Sequence, residues 1–246
     1  MKCFRRELSR LYELKDCIAN PTAPEAYFQN FDENVADPDI RNGYLRWEWA
    51  LQGLDDQAWK QLKTEIVPRL TQRDEDRGWQ ALFDTLGEAR GYAYLKLIGC
   101  TNIRFIPRAT EPTPDLEATI DSARVLCEVK TINPSAGEIE ARRNPPTVRS
   151  LPIDLTPQFL RKLGAKIAEA RSQLLSHDPL SEAKHVVYVN INFDDFFAEC
   201  KERYFRQIDE YLSDKRISGV RLVICNDHTL FYKPLQMCYA EVDNVD

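Results

Sequence analysis

Apolar residues recur every three or four positions in CFRRELSRLYELKDCI (residues 3 to 18), DIRNGYLRWEWALQGL (39 to 54) and DDQAWKQLKTEIVPRL (55 to 70), which predicts three amphipathic helices. No alternating strand pattern interrupts them. Their ends are marked by NPTAP at 20 to 24, by Asp55 as an N-cap, and by Pro68 followed by TQRDEDR. A longer helical run, RGWQALFDTLGEARGYAYLKLIG (77 to 99), opens a second pattern. Short stretches rich in Ile, Val, Leu, Phe and Thr then predict strands near 102 to 107, 115 to 120 and 123 to 130. A helix over 157 to 176, a strand over 185 to 193, a helix over 196 to 213 and strands over 219 to 225 and 228 to 233 complete the order αβββαβαββ. Asn226 and Asp227 tolerate the positive φ of a tight hairpin between the last two strands. A three-strand meander followed by crossover helices implies an α/β fold, a mixed sheet flanked by helices. The expected organisation is an N-terminal helical subdomain over 1 to 74 and a second domain over 75 to 246.

Composition narrows the class. At 246 residues, 43% hydrophobic and 29% charged, the chain has the profile of a globular protein with one sizeable core and an appendage. No apolar run approaches the roughly 18 residues that span a bilayer, and MKCFRRELSRLYELKD has no apolar leader, so a cytoplasmic protein without a membrane partner is expected. The seven cysteines are scattered and show no C-x-x-C pair, which points to reduced, mostly buried thiols rather than a zinc site. A net charge of -6 excludes a wholly basic nucleic-acid coat. Phosphate contacts must then be local. Between residues 141 and 175, Arg142, Arg143, Arg149, Arg161, Lys162, Lys166 and Arg171 face only two acids, a net of +5.

Candidate chemistry is concentrated between residues 87 and 133. In ARVLCEVK the side chains alternate, so Leu126, Glu128 and Lys130 share one face while Val125, Cys127 and Val129 share the other. A carboxylate and an ammonium near the end of an apolar strand are costly to desolvate unless something compensates them, and a cation with its water would do so. Asp115 precedes LEATI, and a turn at Asp121 and Ser122 should return the chain so that Asp115 approaches Glu128. Two converging carboxylates suit magnesium, which keeps several waters and takes one or two protein acids. Lys130 beside them could orient or help deprotonate an attacking water and offset charge building on a phosphate.

Pro114-Asp115, twelve residues, then Glu128-Val129-Lys130 resembles the signature of the PD-(D/E)xK nuclease superfamily, the restriction-endonuclease-like proteins, at all four signature letters. That resemblance implies an αβββαβ core with later additions, covering roughly two thirds of the chain. It implies a further acid from the helix before the first strand, for which Glu88 stands in the right place. It also implies a Lys or Gln from the helix after the signature strand, where LRKLGAKIAEARSQLL offers Lys162, Lys166 and Gln173 at helical spacing; of these, Lys166 and Gln173 are the preferred contributors. Catalytic residues would be Glu88, Asp115, Glu128 and Lys130, with Glu88, Asp115 and Glu128 as ligands of Mg2+, for which Mn2+ can substitute. The activity implied is phosphodiester hydrolysis, foremost by a DNA endonuclease, with the basic stretch from Arg142 to Arg171 on the phosphate backbone.

Other chemistries lack their residues. His177, His185 and His228 form no H-x-x-x-H pair, the nine glycines form no phosphate-cradling run, and Cys127 alternates away from Glu128. Trp47, Trp49, Trp59 and Trp79 fit a packing role better than a base-stacking one. Glu117 reads as an exposed strand acid. Two alternatives stay open: a catalytically silent nucleic-acid-binding or protein-interaction module on the same fold, and an RNA-cleaving nuclease. A homodimer would give a double-strand cutter two sites, and the N-terminal helices could serve a protein partner.

Overall fold

The computed structural model describes residues 2–75, 78–108, 110, 112–133, 154–191, 200–213, 219–226 and 238–242. The chain forms two compact units. One holds residues 1–106 and 116–121, the other residues 107–115 and 122–246.

In the first unit, helices α1 (Lys2–Glu7), α2 (Ser9–Asp16), α3 (Phe31–Asn34), α4 (Pro38–Gln52), α5 (Asp56–Ile66) and α6 (Gln80–Leu97) pack with the antiparallel pair β1 (Thr101–Phe105) and β2 (Leu116–Ile120). A 3-10 turn over Val67–Thr71 follows α5, where Pro68 withholds an amide hydrogen. Asp55 caps α5 as expected, its carboxylate accepting from the Ala58 N–H at 2.8 Å. The single helix expected over 3 to 18 is instead two, because the buried Glu48 carboxylate on α4 accepts from the Arg10 and Leu11 N–H groups, both at 2.9 Å. Those amides start α2, and Leu8 takes a non-helical conformation there. Helix α6 is buried over nearly its whole length from Thr85 to Leu95, contacting α4 and α5 as well as β1 and β2. It therefore groups with the N-terminal helices, beyond the 74/75 boundary that the pattern implies. Trp47 and Trp59 are buried core residues, whereas Trp49 is exposed.

The second unit is a mixed sheet. Strands β3 (Ala123–Ile132), β4 (Lys184–Ile191) and β5 (Arg221–Asn226) are parallel neighbours, and β6 (Cys238–Val242) runs antiparallel to β5. Helix α7 (Pro157–His177) lies on β3 and β4, and α8 (Lys201–Ser213) contacts α7. Parallel strands covered by crossover helices should read as near-continuous apolar runs, and HVVYVNI in β4 is buried throughout. Asp121 and Ser122 both take positive φ, 50° and 67°, the signature of a tight I′ turn between β2 and β3.

The expected order αβββαβαβ is met among the described residues as far as Arg221–Asn226. The last described strand is Cys238–Val242, whereas the expected strand over 228 to 233, like Asp227 of the expected hairpin, lies outside the described residues. Cys100, Cys127 and Cys225 are buried free thiols, and Cys17 is an exposed one. Among the described residues no helix is long and apolar enough to cross a membrane.

Candidate functional site

Asp115, Glu128 and Lys130 meet within the second unit. Glu128 and Lys130 project from one face of β3 by strand alternation, and their side chains form an ion pair, Nζ to Oε1, at 2.8 Å. Asp115 stands just before β2, and its Oδ2 accepts a hydrogen bond from the Val129 N–H at 2.7 Å. The backbone amide between Glu128 and Lys130 is thus what holds the Pro114-Asp115 half of the motif against the Glu-Val-Lys half. Cys127, on the opposite face, is fully buried.

Burial makes this cluster electrostatically tense. Only 3% of the Glu128 side chain and 12% of the Lys130 side chain are exposed. Desolvation, then the neighbouring Asp115 charge, push the Glu128 carboxyl up to about 8, against the pull of Lys130. Asp115 is also raised, by burial first, with the Val129 N–H and Lys130 opposing. Burial works against the charge of Lys130, but Glu128 and Glu169 outweigh it and its pKa rises. One lysine thus serves two buried acids. Glu128 Oε1 has that lysine, while among the described residues no donor reaches the buried Glu128 Oε2, and the Glu128 and Asp115 carboxyls lie within hydrogen-bonding reach of each other. An acceptor of this kind ordinarily costs on the order of 1–3 kcal/mol, more when charged, so it marks a place where a positive group would be favoured.

Helix α7 closes the cluster from one side. Thr156 caps it, accepting from the Phe159 N–H at 3.1 Å, and Pro157 follows at the first helical position. Leu163, Ile167, Ala170 and Leu174 bury its apolar face and so fix its rotation. That rotation lines up Lys162, Lys166, Glu169 and Gln173 in a polar stripe. Gln173 donates from Nε2 to the Thr113 carbonyl at 2.6 Å and lies 3.5 Å from Lys130 Nζ through Oε1. Gln173, the helix residue expected to reach the site, thus touches Lys130 and the residue preceding Pro114. Lys166 pairs with Glu169 at 3.0 Å, and Lys162 donates to the Asn133 carbonyl at 3.3 Å. Glu169, which no sequence motif singled out, accepts from Lys130 at 3.0 Å.

The remaining candidates divide as follows. Glu88 is buried on α6 and belongs to the first unit, so the set assembled within the second unit is Asp115, Glu128 and Lys130. Among the described residues, no group of three or more His, Cys, Asp or Glu is placed to hold a metal ion. Arg161 is exposed on α7 and Arg171 half-buried, whereas Arg142, Arg143 and Arg149 lie outside the described residues. Glu117 pairs with Arg104 across the β1–β2 ladder at 2.7 Å. His185 is buried against Asp178 at 2.9 Å, and Asp178 also accepts from the Glu182 and Ala183 N–H groups, which anchors the turn into β4.

No protein-family model, curated protein or solved structure matches this chain. The chain is a mixed α/β protein in which a buried Glu128 and a half-buried Lys130 on β3 meet the half-buried Asp115.

Proposed function

We propose that this chain is a magnesium-dependent nuclease of the PD-(D/E)xK type, hydrolysing phosphodiester bonds, foremost in DNA. The observation that carries this reading is the buried Glu128 Oε2, reached by no donor among the described residues, beside a second carboxyl, Asp115, whose charge it already resists. Further support comes from the element order α6, β1, β2, β3, α7, β4, which follows the αβββαβ core of that superfamily.

The residues fit a magnesium ion. Its hard charge prefers oxygen ligands, and it needs only one or two protein carboxylates because it retains water. Asp115 and Glu128 would hold it; Mn2+ would substitute. When bound, the ion supplies positive charge to the phosphate under attack and acidifies water. Lys130 is a fixed ammonium at the edge of the acid pair, positioned to steady an attacking water and to offset charge on the scissile phosphate. Gln173 keeps the Thr113 carbonyl and Lys130 in register, which holds Asp115 where Val129 needs it. The cations of α7, with Arg142, Arg143 and Arg149, would contact backbone phosphates without reading sequence.

Asp115→Ala and Lys130→Ala should each reduce magnesium-dependent cleavage of plasmid DNA by at least about a hundredfold while circular dichroism is unchanged. Cleavage persisting in both variants would end the proposal. One observation favours the alternative of a silent binding module: Lys130 already gives Glu128 a counter-ion. A silent module would show no cleavage by the unmodified chain on DNA or RNA with either metal.

A further inference from the structure

The Lys130 ammonium is divided between two carboxylates, Glu128 Oε1 at 2.8 Å and Glu169 Oε1 at 3.0 Å. They differ in their surroundings. Glu128 is sequestered, and pairing with it costs desolvation; Glu169 has 53% of its side chain exposed and pays little. Glu169 is also anchored, because Oε2 takes Lys166 Nζ at 3.0 Å one helical turn earlier. The four groups form an alternating row, Glu128, Lys130, Glu169, Lys166, running from the buried acid pair to the surface of α7. Without its third member, the Lys130 ammonium would, among the described residues, serve the acid pair undivided.

We propose that Glu169 is a positioning residue. By taking a share of the Lys130 ammonium at 3.0 Å, it lessens the charge that the same ammonium lends Glu128 at 2.8 Å and so preserves the capacity of the Asp115–Glu128 pair for a divalent cation. This inference rests on the cation-holding reading above. It gives a surface glutamate of α7 a defined part in how strongly the site binds metal, acting through Lys130 and not by touching the ion.

A double-mutant cycle read by calorimetric titration of Mn2+ tests it. Glu169→Gln, a half-exposed position, should leave the fold intact and weaken Mn2+ binding about fivefold, with Glu169→Asp recovering part of the loss. Lys130→Met should tighten Mn2+ binding, and in that background Glu169→Gln should change it by less than about twofold. Equal loss in both backgrounds would show a simple effect of net charge and overturn the positioning role. Unchanged affinity in Glu169→Gln, with Mn2+ bound normally by the unmodified chain, would overturn this inference alone. No Mn2+ binding by the unmodified chain would overturn the cation-holding reading and this inference with it.

Discussion

At the scale of single residues, the chain tolerates at Glu128 what folding ordinarily removes: a buried carboxyl oxygen that no donor reaches among the described residues. Stability then depends on pH with a definite sign. The folded-state carboxyl sits at about 8, above the ordinary 4.5, so between those values folded chain holds a proton that unfolded chain releases. Its stabilising contribution is complete below about 4.5 and is lost as pH rises toward about 8. Urea denaturation of metal-free protein from pH 5 to 9 should show a midpoint that falls through this range, and Glu128→Gln should flatten the fall. A midpoint that rises, or a variant with an unchanged slope, would contradict the assignment. The signature residues were legible in the sequence because strand alternation fixes which side chains share a face, and Glu128 and Lys130 are two apart. Glu169 was not. It appears in the sequence as one of two acids in a basic stretch, and its role depends on how α7 rotates when Leu163, Ile167, Ala170 and Leu174 bury against the sheet.

At the scale of elements, the sharpest departure from local pattern is at the chain's beginning. Periodicity alone runs one helix from residue 3 to 18, and Leu8, Leu11 and Leu14 sustain it. What splits the helix is Glu48, 38 positions after Arg10, whose carboxylate also takes Ser9 Oγ at 3.2 Å and Gln52 Nε2 at 2.8 Å. A capping group supplied from another helix leaves no local signal, which is why the break could not be read from residues 3 to 18. Glu48→Ala should cost about 3 kcal/mol, since several donors lose their acceptor in a buried place, and Glu48→Gln should cost less. Thermal unfolding of the two variants provides the check; a Glu48→Ala protein as stable as the parent would remove Glu48 as the cause of the break. By contrast α4, α5, α6, α7, β3 and β4 were legible to within a few residues, because caps, prolines and long apolar periodicity agree there. The strand Cys238–Val242 escaped, since its five residues carry no pattern distinguishing them from the apolar run before them.

At the scale of the whole molecule, an excess of acids coexists with a basic stretch that includes α7, so attraction to phosphate would be a local property of the second unit. The grouping of α6, β1 and β2 with the N-terminal helices was not legible, because α6 carries apolar residues around its circumference and its pattern names no preferred side. The order of elements was legible, and so was the approach of Asp115 to the Glu128 strand. We propose that this approach makes a seat for a divalent ion. Calorimetric titration of magnesium into the unmodified chain, Asp115→Asn and Glu128→Gln tests it most directly. One saturable binding event, present in the unmodified chain and absent from both variants, is predicted; no binding by the unmodified chain, or equal binding by all three, would contradict it.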